Sequence, residues 1–309
     1  MSENTIYLLS GPTASGKTAI ALEWAERYDA EIVNADALCF YRGMDIGTAK
    51  PTLREQAWVP HHLIDVVDVD DRYDVARYLD AAHGVIKEIL QRGKRPLVVG
   101  GSGFYLKGYF FNVADQLHIP REVREQVQSL YESGGLEALL DKLREFNPQG
   151  TGKLDLKNPR RVAPALERCL ATGKPLAELQ RKWQETESPF ARFHKYLAWI
   201  ERHDNDLVQR IEERTALMLD QGLVREVEGL LEQGLLQNPT GRTAIGYRET
   251  LALLHGELES PEALLLKIEQ NTFKLVKKQR KWYQSQLGFG QTFNWSGGDW
   301  TSDDLFPRP

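Results

Sequence analysis

An eight-residue run, Gly11-Pro12-Thr13-Ala14-Ser15-Gly16-Lys17-Thr18, restricts this chain more than any other feature. It fits the pattern G-x-x-x-x-G-K-[ST] and stands between two segments of different periodicity. Residues 5–10 are nearly all apolar, as in a buried strand; residues 17–28 carry Ile20, Leu22, Trp24 and Ala25 among good helix formers. A strand that feeds a glycine-rich turn into a helix N-terminus makes an anion cradle. Successive backbone N–H groups point inward, and the helix dipole favours negative charge. Lys17 would reach phosphate oxygens there, and the Thr18 hydroxyl would ligate Mg2+. A polyphosphate ligand is expected, the competing reading being a chance match in a tight turn. The run does not say which polyphosphate, or what happens to it.

The rest of the chain extends the same pattern. Strands are expected over 5–10, 31–34, 63–67 and 95–100, and helices over 17–28, 75–92 and 104–111. Apolar strands such as 96–99 suit a parallel sheet covered on both faces. Strand signals stop after 112. Residues 121–183 are helical in pattern, broken at 133–135, 147–150 and 173–175. One more strand, 195–200, precedes helices over 204–221, 223–233, 248–254 and 261–286. Residues from 288 on are turn-rich and expected to be loosely held. The expected class is α/β: a P-loop parallel sheet core flanked by helices, with a smaller all-helical insertion domain. Residues 1–112 and 195–309 would form the core, and 113–194 the insertion.

With 309 residues, 41% of them hydrophobic, the chain can bury a core, yet it has no apolar run of eighteen. No membrane partner is expected. The start lacks the basic stretch of a secretion signal. Two cysteines, Cys39 and Cys169, exclude a disulfide framework and a four-ligand cysteine zinc module. A reducing, cytoplasmic setting and a monomer are expected. The net charge of −5 argues against a protein that coats nucleic acid without specificity. Charge is unevenly placed, however. Arg160 and Arg161, and then Lys274, Lys277, Lys278, Arg280 and Lys281, form basic clusters. These are either solvated helix faces or a local RNA site.

Ligands of an open α/β sheet sit at the carboxyl ends of its strands. Asp36, which ends the second strand, therefore projects toward the cradle, as a Mg2+ ligand through water, as a base, or as a turn cap. The loop 35–51 is long for a compact domain, and such loops are usually functional. Gly100-Gly101-Ser102-Gly103-Phe104-Tyr105 again joins strand to helix through glycine and sets a hydroxyl, Ser102, at the turn. His61 and His62 lack an acidic or cysteine partner at metal spacing, so a structural or solvent-facing role in a loop is expected. Trp282 and Tyr283 would either stack on RNA or join the core. No charge pattern around Cys39 argues for a reactive thiolate.

Taken together, six segments resemble the tRNA dimethylallyltransferases, or tRNA isopentenyltransferases, of the bacterial branch. They are residues 11–18, Met44-Asp45-Ile46-Gly47-Thr48-Ala49-Lys50-Pro51, residues 100–105, Asn158-Pro159-Arg160-Arg161-Val162 with Ala165-Leu166-Glu167, Ala244-Ile245-Gly246-Tyr247-Arg248, and Lys277-Lys278-Gln279 with Trp282. The resemblance covers about residues 5–287. It implies transfer of a dimethylallyl group from dimethylallyl diphosphate to the exocyclic amine (N6) of the adenosine 3′ of the anticodon in tRNA. Diphosphate would leave, with Mg2+ as cofactor. Asp36, Lys17 and Thr18 would be catalytic. Gly11, Pro12, Thr13, Ala14, Ser15, Gly16, Lys17, Thr18 and Arg210 would hold the diphosphate, Arg210 having a surface salt bridge as its other reading. Asp36, Ala37, Leu38 and Cys39 would line the base site. Ser102, Arg124, Arg160, Arg161, Val162, Ala163, Pro164, Thr243, Ala244, Ile245, Gly246, Tyr247 and Arg248 would touch RNA. So would Lys277, Lys278, Gln279, Arg280, Lys281, Trp282, Tyr283 and Gln284.

The chain departs from the family pattern at Ala37, usually serine, and Cys39, commonly glutamine. It departs also at Pro164, Phe273 and Leu275, where arginine, arginine and tyrosine are usual. Pro164 inside a predicted helix implies a kink or a boundary. These changes thin the RNA-facing side more than the diphosphate side. Three other readings share the cradle. An adenylate isopentenyltransferase would not need the insertion or the basic last helix. A small-molecule kinase would leave 44–51 unexplained. A tRNA-binding paralogue with little catalysis would not need Lys17, Thr18 and Asp36 intact.

Overall fold

The computed structural model describes residues 4–113, 117, 119–185 and 187–307. The chain forms two compact units, one of residues up to Phe111 together with those from Pro189, the other Asn112–Ser188. The larger begins with β1 (Thr5–Ser10), α1 (Lys17–Arg27), β2 (Ala30–Asn34), α2 (Leu53–Trp58), β3 (His61–His62), α3 (Val75–Gln91), β4 (Arg95–Val99) and α4 (Gly103–Lys107). The smaller carries α5 (Arg121–Phe146), α6 (Pro159–Thr172) and α7 (Leu176–Glu185). The larger resumes with β5 (His194–Glu201), α8 (Asp204–Asp220), α9 (Leu223–Glu232), α10 (Tyr247–Leu254), α11 (Pro261–Gln286) and β6 (Gln291–Asn294).

The six strands form one parallel sheet in the order β3-β2-β4-β1-β5-β6. Both faces of β1 are buried. Tyr7 and Leu9 pack on Ile20, Ala21 and Trp24 of α1, while Ile6 and Leu8, on the opposite side of the pleat, are fully buried too. That is why the strand reads as apolar throughout rather than alternating.

Register places the site. Leu9 of β1 and Asn34 of β2 both pair with Val99 of β4. The residues two positions further on, Gly11, Asp36 and Gly101, therefore leave the sheet side by side at its carboxyl edge. The strands' exits are laced together: Ala35 N donates to Val99 O (2.8 Å), Gly100 N to Leu9 O (3.2 Å) and Ser10 Oγ to Gly100 O (2.9 Å). A Cβ on Gly100 would lie 2.3 Å from the Ala35 carbonyl, so only glycine fits there.

Five expectations are corrected. Residues 63–67 are not a strand. The pairing with β2 is made by His61 and His62, because Leu63 and Asp65 adopt left-handed φ of 62° and 53° that end an extended run. The two histidines thus lie in the sheet, with His62 Nε2 2.6 Å from Glu31 and His61 Nδ1 2.7 Å from the Val59 carbonyl. Residues after 288 are not loose. Gln291–Asn294 adds the sixth strand, and Phe293, Leu305 and Phe306 are buried against α1 and the sheet. The helix expected over 104–111 ends at Lys107. In the smaller unit Pro164 is no boundary, since α6 runs through it from an Asn158 cap and Pro159 in its first turn.

Within that unit, Val127, Leu139, Leu140 and Leu143 of α5 meet Val162, Ala165, Leu166 and Cys169 of α6 in a small core. Gly135, at φ 65° and ψ −155°, interrupts α5 at the expected break. Among the described residues no helix is long and apolar enough to cross a membrane.

Candidate active site

The glycine-rich turn after β1 has the backbone of an anion nest. Ala14 and Gly16 take left-handed φ of 63° and 88°, so the amides around them turn to one side before α1 begins at Lys17. Several carbonyls of the turn are bound by cations. Lys17 Nζ donates to Gly11 O (2.9 Å) and Pro12 O (2.7 Å), Arg210 Nε to Ala14 O (2.8 Å) and Arg202 Nε to Ser15 O (2.7 Å). Thr13, Ala14, Gly16, Lys17, Thr18, Arg210 and Arg214 line a cavity of about 260 Å³. The first amides of α1 have no acceptor within the helix, so an anion in that cavity could accept from them.

Arg214 is a cradle residue that sequence reasoning missed. Its Nη1 donates to Thr13 Oγ1 (3.3 Å) and its Nη2 to the carbonyl of Thr48 (3.2 Å), so it joins the turn to the 44–51 loop. The signal was its spacing of four from Arg210, which puts both on one face of α8. Among the described residues Arg210 makes no surface salt bridge of the kind weighed for it, but braces the turn and lines the cavity. Ser15 is correspondingly repositioned. Its side chain is fully buried, its Oγ has no hydrogen-bond partner among the described residues, and its amide bonds Pro12 O.

Charge is concentrated here. Burial lowers the Lys17 ammonium to about 8, the Asp36 carboxylate raising it again and Arg214 lowering it further. Burial also lowers Arg214, with Asp36 the largest opposing influence. Asp36 therefore acts electrostatically on both cations. Its own position is fixed by the turn: Asn34 Oδ1 accepts from Asp36 N (3.0 Å), and Asp36 Oδ1 accepts from Leu38 N (3.1 Å). The turn-cap role and the place beside the cradle are both real.

A second cavity, of about 590 Å³, adjoins the first. Asp36, Gly101 and Gln279 line both. Of the residues expected to face RNA, Ala37, Leu38, Ser102, Thr243, Ala244, Ile245, Lys278, Gln279, Trp282 and Tyr283 line this second cavity. Phe104, Trp199 and Leu275 line it as well, none of them among the residues expected to touch RNA. Ser102 Oγ accepts from Ala37 N (3.0 Å), tying the two strand exits. Gln279 reaches both sides of the wall, since its Oε1 accepts from Thr13 N (2.9 Å) and its Nε2 donates to Gly101 O (3.3 Å).

The residues named for RNA differ in how far the protein itself engages them. Cys39 is buried in the wall of the first cavity, and burial pushes its thiol well above the ordinary value. Tyr283 is buried and its ring stacks on Trp199 at 3.9 Å, so that face is unavailable to a base. Arg280 is held by Glu201, Asp204 and the Arg202 carbonyl. Tyr247 and Gly246 are buried, and Arg248 pairs with Glu249. Lys277, Lys278, Lys281 and Gln284 are exposed on α11, with Lys277 over the Phe273 ring at 4.8 Å. In the smaller unit, Arg160 and Arg161 are exposed at the start of α6, Arg124, Ala163 and Pro164 are half-buried, and Val162 belongs to that unit's core.

A parallel sheet whose carboxyl edge holds an anion nest, a carboxylate and an adjoining larger cavity defines an α/β protein built to bring a phosphorylated ligand to a second one. The chain belongs to the IPP transferase family, whose model matches residues 39–286. A tRNA dimethylallyltransferase of Opitutus terrae is 51% identical over 282 residues, 91% of this chain and 90% of its own length. The crystal structure of the full-length tRNA isopentenylpyrophosphate transferase from Bacillus halodurans is 31% identical. It superposes with a TM-score of 0.66 over 96% of this chain and 92% of that one. A eukaryotic dimethylallyltransferase solved acting on tRNA, 24% identical, shares the fold, with a TM-score of 0.79 over 98% of this chain and 76% of that one.

Proposed function

We propose that this chain is a tRNA dimethylallyltransferase. It transfers the dimethylallyl group of dimethylallyl diphosphate to N6 of the adenosine 3′ of the anticodon and releases diphosphate. One observation carries the reading: Asp36 stands in the wall common to an anion cradle and a larger, mainly apolar cavity. A reaction between a diphosphate ester and a base requires its proton acceptor at that boundary.

Each group has a physical task. The nest amides, Lys17, Arg210 and Arg214 bind the diphosphate, and they oppose the charge that grows on it as the allylic C–O bond breaks. The N6 lone pair forms the new C–N bond, and the proton that N6 sheds passes to Asp36. An adenine inside a folded anticodon arm is stacked, so it must be extruded to enter the second cavity. Trp282 and Phe104 offer apolar surface there, and Lys278 a cation. The exposed cations Lys277, Lys278 and Lys281, with Arg160 and Arg161 of the smaller unit, would meet phosphates. In this reading the smaller unit is a tRNA-binding insertion.

Mg2+ fits the donor set. Magnesium is held by few protein oxygens plus substrate phosphates, and Thr18, which carries a hydroxyl, lines the cradle. Among the described residues no group of three or more His, Cys, Asp or Glu is gathered to hold a metal alone. Thr18 and the donor's phosphates would share the ion, which would neutralise the leaving group.

Incubation with labelled dimethylallyl diphosphate and either total tRNA or AMP, followed by nucleoside analysis, tests the proposal. Label in N6-dimethylallyladenosine from tRNA and none on AMP is expected; label on AMP alone overturns it. Affinity for tRNA is expected to fall steeply with salt, each neutralised phosphate adding about 0.7–0.9 to the log–log slope. A flat dependence, measured by fluorescence anisotropy, would contradict the RNA-facing assignments.

A further inference from the structure

We infer that Glu226, remote in sequence from the cradle, is a positioning residue for the transfer. It acts through the 44–51 loop and Arg214. The inference rests on the reading of the cradle as the prenyl-donor site.

Three successive amides of that loop end on one carboxylate. Glu226 Oε2 accepts from Asp45 N (3.1 Å) and Ile46 N (2.7 Å), and Oε1 accepts from Gly47 N (3.1 Å). Oε1 accepts a fourth bond, from the Tyr247 hydroxyl, at 2.7 Å. Residues 45–50 form a single tight turn, with Ala49 N bonded to Ile46 O and Lys50 N to Asp45 O, both at 3.0 Å. Such a turn leaves its first N–H groups without acceptors, as a helix start does. Here they are satisfied by a charged side chain from α9 rather than by a local cap, and bonds of this kind are among the stronger ones.

The turn is also fixed from beneath. A Cβ on Gly47 would fall 2.6 Å from the Tyr247 ring, so the glycine lets the turn lie flat on that ring. Its exit reaches the site directly, because the Thr48 carbonyl accepts from Arg214 Nη2 while Arg214 Nη1 holds Thr13 Oγ1 of the nest. Two sequence motifs with no chemistry of their own, 44–51 and 244–248, therefore converge on one carboxylate. If the turn relaxed, Arg214 would lose one of its two anchors and its aim at the diphosphate.

The test compares full-length wild type with Glu226→Gln, Glu226→Asp and Tyr247→Phe. Amide exchange at residues 45–47, calorimetric affinity for dimethylallyl diphosphate, and separate kcat and KM values for donor and tRNA are measured. Glu226→Gln turns an amide donor toward three amide donors. Faster exchange by about tenfold is expected at residues 45–47. kcat/KM for the donor should fall about 10–100-fold, with KM for tRNA within about twofold of wild type. Glu226→Asp should recover part of the loss, and Tyr247→Phe, which removes one donor without changing shape, should show it in milder form. Loosened amides with undiminished donor affinity and kcat would overturn the inference, as would equal losses for donor and tRNA. Should Glu226→Gln not fold, the same readouts on Tyr247→Phe and Glu226→Asp decide. Wild type that binds the donor but transfers nothing to tRNA would sink the proposed function and leave the donor-affinity comparison standing.

Discussion

Asp36→Ala is expected to lower kcat for transfer by about 10²–10⁴-fold, the usual contribution of a positioned proton acceptor, while tRNA affinity changes little. In the proposed reaction the side chain would remove a proton from one atom of a large substrate, and the cations proposed to meet RNA phosphates are other residues. Asp36→Asn is the sharper variant. Asparagine keeps an oxygen that can accept from Leu38 N, so the turn at 36–38 should survive. It cannot take a proton and carries no charge. Loss of turnover in both variants, with unchanged anisotropy on tRNA, fits a base. If asparagine retains most of the wild-type rate, the carboxylate serves only as a hydrogen-bond acceptor and the proton leaves by another route. A second signature follows from the neighbours. Asp36 raises the Lys17 pKa, so Asp36→Asn should move the alkaline limit of donor binding to lower pH.

How much of this was legible before any coordinates depends on how local the cause is. The anion cradle was legible because strand, glycine turn and helix N-terminus are contiguous in sequence. Asp36 was legible because ligands gather at strand ends in such sheets. The register that sets Gly11, Asp36 and Gly101 abreast depends on which strands are neighbours, and no single segment encodes it. Arg214 and Arg202 escaped because their targets, Thr13 and Ser15, are some two hundred positions away. Strand β6 escaped because only Phe293 of its four residues is buried, which leaves no alternation to read. Leu63 and Asp65 misled for a different reason. Residues 63–67 are apolar enough for a strand, but their backbone is turned left-handed where the Asn34 side chain binds the Leu63 carbonyl. The contacts of Tyr283 with Trp199, and of Arg280 with Glu201 and Asp204, join residues about 80 positions apart and could not be read from the sequence.

Lys17→Met should weaken dimethylallyl diphosphate binding by about 10²-fold, the cost of removing one partner from a buried charge-assisted contact. It should not lower the thermal stability of the ligand-free protein at pH 7. The two halves of that prediction have one cause. Burial holds the folded Lys17 at about 8, below its unfolded value of 10.5. Between those limits the unfolded chain binds more protons, so ligand-free stability rises with pH across this window. At pH 7 the charged ammonium is a burden on the fold. A bound diphosphate reverses the balance, because it supplies the anion that the buried ammonium lacks. Only protonated Lys17 can use it, so donor affinity should decline as pH rises through about 8, approaching tenfold per unit above it. The terminal phosphate, with a second pKa of about 6, is already ionised there and adds no slope of its own. Calorimetric titrations from pH 7 to 10 should show this decline in wild type and a flat profile in Lys17→Met. A wild-type affinity constant across that range would mean that the lysine does not meet the phosphate.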